Sequence, residues 1–300
     1  MNNEKNKILK ERIIEKVIFI FSLFSIFSLF LIIMILFRES LPSIKEVGLI
    51  EMIKGKEWYP TDLENPSFGF FPLIYSSIYI TILSLIFSIP LGLSLAIYIS
   101  EIASEKIKSI LKIIVELISM IPSVVFGFVG VSILVPFIQK TFNLSTGYCV
   151  LTASIVLALM ATPIIATLCE DSLRMVPLNL REASTALGAN KYQTITKIIL
   201  PAASSGLFTA MILGAGRIIG ETMVVLMLSG GSAMIPESVF DPARPITSAI
   251  ASEMGEAVKG SIHYSALFAM GMILFVISIA TSIIAEFLSK RYSLKLGKGR

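Results

Sequence analysis

Two opposite charges, Arg217 and Glu221, lie four residues apart in Gly216-Arg-Ile-Ile-Gly-Glu-Thr222, inside an apolar stretch from about Ala202 to Gly230. That stretch is long enough to cross a bilayer. A charge at the centre of such a helix costs about 2.5–3.5 kcal/mol on insertion scales, and such residues face a bundle interior or a solvated pathway. On one continuous helix, i, i+4 spacing places both on the same face. An arginine stays protonated in apolar surroundings and grips two oxygens of an oxyanion at once. The pair therefore suits an anion path, with Glu221 neutralising Arg217 while the path is empty. The competing reading is an ion pair that only fixes this span against its neighbours. For that role, arginine preceding glutamate is the less favourable order along a helix.

A second constellation lies just upstream, in residues 170–201. Asn179 reads as an N-cap, Glu182 falls at the third helical position, and Gly188 closes a first short helix as its C′ residue. A second helix starts near Lys191, carries Ile195, Ile198 and Ile199 on one side, and meets Pro201 at the start of the next span. An amphipathic helix pair of this kind is either a docking surface for a partner or a plain connection between spans. Weaker candidates are Ser123, whose hydroxyl or freed backbone amide suits an anion and equally suits a capped kink after Pro122, and Thr222. Gly214, Gly216 and Gly220 follow no strand, so they read as close packing rather than a nucleotide-binding loop.

The elements that must position these residues are membrane spans. Hydrophobic residues make up 55% of the 300 and charged residues 15%, which indicates an integral membrane protein. Six spans are expected: residues 13–37; Phe71 to Ile99 with Pro72 in the first turn and Pro90 inside; about Ile113 to Phe137; Tyr148 to Leu168; the Arg217 span; and Tyr264 to Leu288. Gly127 and Gly130 permit close helix contact in the third. Residues 38–69 form a loop outside the bilayer with a short helix, and 231–262 form another polar loop. The domain division is 1–12, a polar segment; 13–288, one six-helix domain; and 289–300, a basic tail. The long first apolar core, ending in Phe37-Arg38-Glu39, reads as an uncleaved span. Cys149 and Cys169 are about 30 Å apart on one helix, beyond disulfide reach. His263 is the single histidine, which excludes a histidine metal cluster and suits an interfacial structural role.

Lysine and arginine fix the expected orientation. The N-terminal segment, the 106–112 loop, the 170–201 loop and the tail together hold seventeen, against seven in the alternate loops. Both termini and the 170–201 loop are therefore expected in the cytoplasm. No paired-aspartate, Ser–His or His-Glu-x-x-His arrangement lies in the spans, which argues against a membrane-embedded enzyme.

The 182–201 segment resembles the EAA loop of ABC importer permeases: Glu182, Ala183, Gly188, Ile198, Leu200 and Pro201 fall on the motif, and Ser184 replaces its second alanine. Ile121-Pro-Ser-Val-Val-Phe-Gly127 and the Arg217–Thr222 segment are similar to phosphate importer permeases. Phe240-Asp-Pro-Ala-Arg-Pro-Ile-Thr247, Glu253-Met-Gly-Glu-Ala257, Glu221-Thr-Met-Val-Val225, Gly55-Lys-Glu-Trp-Tyr-Pro60 and Phe68-Gly-Phe-Phe-Pro-Leu73 look like the PstC-type subunit. The resemblance implies an all-α, six-helix type I (MetI-like) permease fold in a bacterial or archaeal plasma membrane. It implies a PstA-type permease partner, two copies of a cytoplasmic ATPase docked on the loop, and an extracytoplasmic phosphate-binding protein. No Gly-x4-Gly-Lys-[Ser/Thr] loop occurs in the chain, so ATP and Mg belong to the separate ATPase and this subunit is expected to be non-catalytic and cofactor-free. A permease for molybdate or sulfate is the alternative, and a passive channel has no use for such a loop. No nucleic acid is implied.

Overall fold

A computed structural model describes the backbone of residues 2–62 and 64–297 and the side chains of 14–62, 64–284 and 286–287. The side chains of the basic segments 1–12 and 289–300 lie outside the described residues. The elements run α1 (Asn2–Glu46), α2 (Leu49–Lys54), β1 (Trp58–Tyr59), β2 (Ser67–Phe68), α3 (Phe71–Ile97), α4 (Glu105–Met120), α5 (Ser123–Val129), α6 (Val135–Thr141), α7 (Val150–Arg174), α8 (Leu178–Ala186), α9 (Lys191–Thr194), α10 (Leu200–Ile219), α11 (Met223–Leu228), α12 (Ile246–Glu253) and α13 (Ile262–Gly297). Wide π-helical turns at Tyr98–Ile102, Gly130–Leu134 and Ile195–Ile199 continue α3, join α5 to α6, and join α9 to α10. Six helical segments among the described residues are long and apolar enough to cross a membrane. The protein is therefore an all-α membrane protein, with one antiparallel hairpin pairing Trp58 with Phe68.

Helix α7 is the axis of the bundle. Two-thirds of its most apolar window is buried, against none in the first span. Apolar burial discriminates little between helix and lipid, so close contact relies on small residues. Ile165 of α7 occupies the space where a Cβ on Gly92 of α3 or Gly214 of α10 would sit, at 2.8 and 2.6 Å. Three helices thus meet around one side chain. The first amides of α7 are satisfied by backbone of the 231–262 segment: Val150 and Leu151 donate to the carbonyls of Asp241 and Val239.

Several span boundaries differ from expectation. The first helix continues past Phe37 to Glu46, so residues 38–46 are helix and not loop, the fourth span reaches Arg174, and the fifth segment starts at Lys191. The third span begins at Ser123, not near Ile113. Residues 113–120 belong to α4, where Glu105, Lys108, Lys112 and Glu116 recur at helical spacing along one polar stripe. Pro122 disfavours helix at the preceding residue, and Ile121 is extended with ψ 126°, which ends α4. The fifth span closes at Ile219, and the apolar run beyond it belongs to the separate α11. The segment expected as a polar loop, 231–262, carries α12, whose Ile246 and Ala249 are fully buried.

Candidate functional site

Arg217 lies in the last turn of α10, which Gly220 caps, and Glu221 lies in the break before α11. The pair is not on one continuous helix face, as the spacing suggests, but straddles a helix end. Each charge thereby meets the dipole it prefers: a cation at the carboxyl end of α10 and an anion at the amino end of α11. Arg217 Nη1 donates to Glu221 Oε2 at 3.1 Å. Glu221 Oε1 accepts from Met223 N at 3.2 Å, so it supplies the cap that the Thr222 side chain does not. Thr247 Oγ1 of α12 donates to the Glu221 carbonyl at 2.9 Å. The carboxylate is 4% exposed while the guanidinium is 45% exposed. The anion is thus held rigidly and the cation faces open space, alongside Gly216, whose Cα has no neighbour within 4 Å of an added Cβ.

The structure brings Arg217, Glu221 and Thr222 together at this break. Ser123 is half-buried in the first turn of a different helix, α5. Helix α5 packs along α11, where Gly127 meets Met227 and Gly130 meets Leu228, as the glycine spacing predicts. Gly214 is a packing residue, whereas Gly216 and Gly220 border the open side.

In the loop between α7 and α10, α8 begins after Pro177, so Asn179 sits inside the helix and is not its cap. Glu182 is therefore the fifth helical residue, and it and Ala183 are exposed. Gly188 has φ +79°. Gly188 N donates to Thr185 O at 2.9 Å and Ala189 N to Ser184 O at 3.1 Å, a complete Schellman closure. Asn190 and Gln193 then form a reciprocal capping box that starts α9. Ile195 and Ile199 are buried, Ile198 and Leu200 half-buried, and Pro201 exposed in the first turn of α10. Leu178, Leu187 and Tyr192 are 72, 90 and 75% exposed apolar side chains. Ser184, where the motif has alanine, is buried and shares a hydrogen bond of 3.0 Å with Thr194.

Glu170 and Arg174 read from the sequence as charges at the cytoplasmic mouth, but most of the long-range polar pairings are not legible there because the partners are distant in the chain. Lys112 of α4 binds the buried Glu170 of α7 at 2.8 Å, with Arg174 at 3.6 Å from the other carboxylate oxygen. Both line a cavity of about 150 Å³ with Thr167 and Asp171. At the opposite end, Glu253 of α12 accepts from Trp58 Nε1 at 3.0 Å and from Arg244, and bonds His263 Nε2 at 2.8 Å. His263 thus has the structural role expected of it. The only available signal was that Trp58, Arg244 and Glu253 fall within stretches that resemble one permease type.

Residues 88–294 match the family described as binding-protein-dependent transport system inner membrane component. The chain is 36% identical over 248 residues to the probable ABC transporter permease protein YqgH of Bacillus subtilis, covering 83% of this chain and 80% of that one. It is 33% identical over 200 residues to the phosphate transport system permease protein PstC of Haemophilus influenzae, covering 60% of this chain and 63% of that one. Among solved structures, a chain of the MetNI methionine ABC transporter superposes with a TM-score of 0.57 at 21% identity, over 72% of this chain and 94% of that one. A bacterial alginate ABC transporter superposes with a TM-score of 0.55 at 19% identity, over 74% of this chain and 78% of that one. The fold is accordingly MetI-like. With the family matched across the helix break and the Glu182 loop alike, this chain belongs to the binding-protein-dependent inner membrane components and is a multi-pass permease subunit of an ABC importer.

Proposed function

We propose that the chain is one of the permeases of an ATP-driven importer for inorganic phosphate and supplies half of the translocation pathway. The observation that carries this reading is the half-exposed Arg217 beside the buried Glu221 at the break between α10 and α11. Phosphate at neutral pH carries one to two negative charges and several acceptor oxygens. One terminal nitrogen of Arg217 is engaged by Glu221, which leaves further donors for an anion. Glu221 is buried and accepts from the Met223 amide, so an incoming phosphate competes with it for the guanidinium. That competition keeps binding weak, as a transit site requires. Thr222 borders the same break, and Ser123 offers a hydroxyl from α5. The phosphate assignment draws support from the PstC proteins among the relatives.

In this reading the exposed apolar surface of Leu178, Leu187 and Tyr192, with Glu182, Ala183 and Gly188, receives one of two cytoplasmic ATPases, which hold the ATP and Mg. The lysine and arginine distribution then puts both termini and α8 in the cytoplasm of a bacterial or archaeal cell. A PstA-type permease supplies the other half of the path, and an extracytoplasmic phosphate-binding protein delivers the substrate.

The test is uptake of labelled phosphate by the complete transporter in cells lacking other importers. Arg217→Ala is expected to assemble normally and lose uptake by ~10- to 100-fold, the range set by charged hydrogen bonds. Uptake at the parental rate overturns the pathway role, and competition by molybdate or sulfate in place of phosphate reassigns the substrate.

A further inference from the structure

Arg181, one residue before the Glu182 motif, makes contacts that neither its position in the motif nor its charge explains. From the middle of α8 its guanidinium reaches two other elements. Nη1 pairs with Glu101 Oε2, in the wide turn that ends the second span, and Nη2 donates to Leu173 O, in the last turn of α7, at 2.9 Å. The arginine is 23% exposed and the carboxylate 7%. Ser100 Oγ holds the other oxygen of Glu101 at 2.8 Å. A surface ion pair of long side chains carries little energy, but a two-pronged, mostly buried one with a fixed acceptor is specific in geometry. The carbonyl it engages, in the last turn of α7, also accepts from Val176 N at 3.3 Å, so the guanidinium fills its second lone pair, and a cation is favoured at that helix end. On its other flank α8 is joined to α9 through Ser184 and Thr194.

We propose that Arg181 is a positioning residue that clasps the docking helix to the ends of the second and fourth spans. A push on α8 then moves three spans as one body: the fifth through α9, the fourth through the short connection at residues 175–177 braced by this guanidinium, and the second through this guanidinium alone. Without the clasp, α8 keeps its chain connections to the fourth and fifth spans but loses its hold on the second. The proposal rests on α8 being the ATPase docking helix.

The test uses the complete transporter, with partner permease, ATPase and binding protein, in proteoliposomes. Spin labels on Leu180→Cys of α8 and Ile102→Cys at the end of the second span, both exposed and neither on the docking surface, report whether the two elements move together. The native Cys149 and Cys169 are buried and free. With Arg181 intact, the label separation is expected to stay the same when ATP is added. In Arg181→Gln it is expected to shift or broaden with ATP, and phosphate imported per ATP hydrolysed to fall ~tenfold or more, the scale of a lost charged hydrogen bond. The ATPase is expected to co-purify at the parental ratio. Glu101→Gln, which leaves the Leu173 contact in place, is expected to show the same separation in milder form. Labels that separate on ATP with Arg181 intact, or an import-to-hydrolysis ratio unchanged in Arg181→Gln, overturn the clasp. A parental transporter that imports no phosphate overturns the phosphate reading alone, since the label distances still decide on Arg181.

Discussion

Arg217 and Glu221 illustrate how placement changes the meaning of a charge. As neighbours on one buried helix they would oppose the dipole; at the ends of two helices each is stabilised by it. The pair itself is legible from i, i+4 spacing in an apolar run. The break between the partners is not, because the segment 220–222 lies between Ile219 and Met223, as apolar as a continuing span, and Thr247, which donates to the Glu221 carbonyl, is 26 positions away. Glu221→Gln keeps an oxygen for the Met223 amide but removes the charge that competes for Arg217. We expect it to fold normally, to lower KM for phosphate because the competitor is weaker, and to lower kcat because release slows. Steady-state uptake kinetics check this, and unchanged values would leave Glu221 a purely structural partner.

Elements were legible where one period dominated. The fourth span and the Gly188 closure could be read directly, because a continuous apolar run and a capping glycine each have one structural meaning. The third span was misplaced because the apolar face of α4 merges in sequence with the apolar helix after Pro122, and only the recurrence of Glu105, Lys108, Lys112 and Glu116 marks α4 as amphipathic. The residue that ties α4 down, Lys112, looked like a loop charge. Lys112→Met is expected to lower stability by about 3 kcal/mol, because it leaves Glu170 buried with only the longer Arg174 contact. A thermal unfolding scan of the purified protein in detergent measures it, and Glu170→Gln in the same background should recover part of the loss. Gly188→Val should cost about 1–2 kcal/mol in α8 through backbone strain, since no neighbouring atom lies within 4 Å. Its readout is the amount of ATPase retained on co-purification.

On the scale of the whole molecule, hydropathy sufficed for the number of spans, and the resemblance carried by the loop of residues 182–201 supplied the MetI-like class. They carried no information on how the segment before α3 and the segment after α11 fold together. That contact is made by Glu253, which gathers Trp58, Arg244 and His263 from three separate stretches. Glu253→Ala strands one indole donor and two basic groups in a mostly buried setting, for which a loss of at least ~2 kcal/mol is expected. Limited proteolysis should then cut within residues 47–70 and 231–262 faster than in the parent, while the α8 loop is cut at the parental rate.

The wide turn at Ile195–Ile199 has a geometric consequence. Leu200 N donates back five residues to Ile195 O, and Pro201 has no amide to offer the next carbonyl. One residue more than an α-helix needs is therefore stored between the docking surface and the charge pair. Each residue of an α-helix turns the chain by about 100°, so this stored residue sets the rotational phase of Thr194 relative to Arg217. Deleting Thr196 should close the turn into regular helix and leave every span intact. It should also point Thr194 about a quarter-turn away from Ser184, so that the docking helix and the pathway fall out of phase.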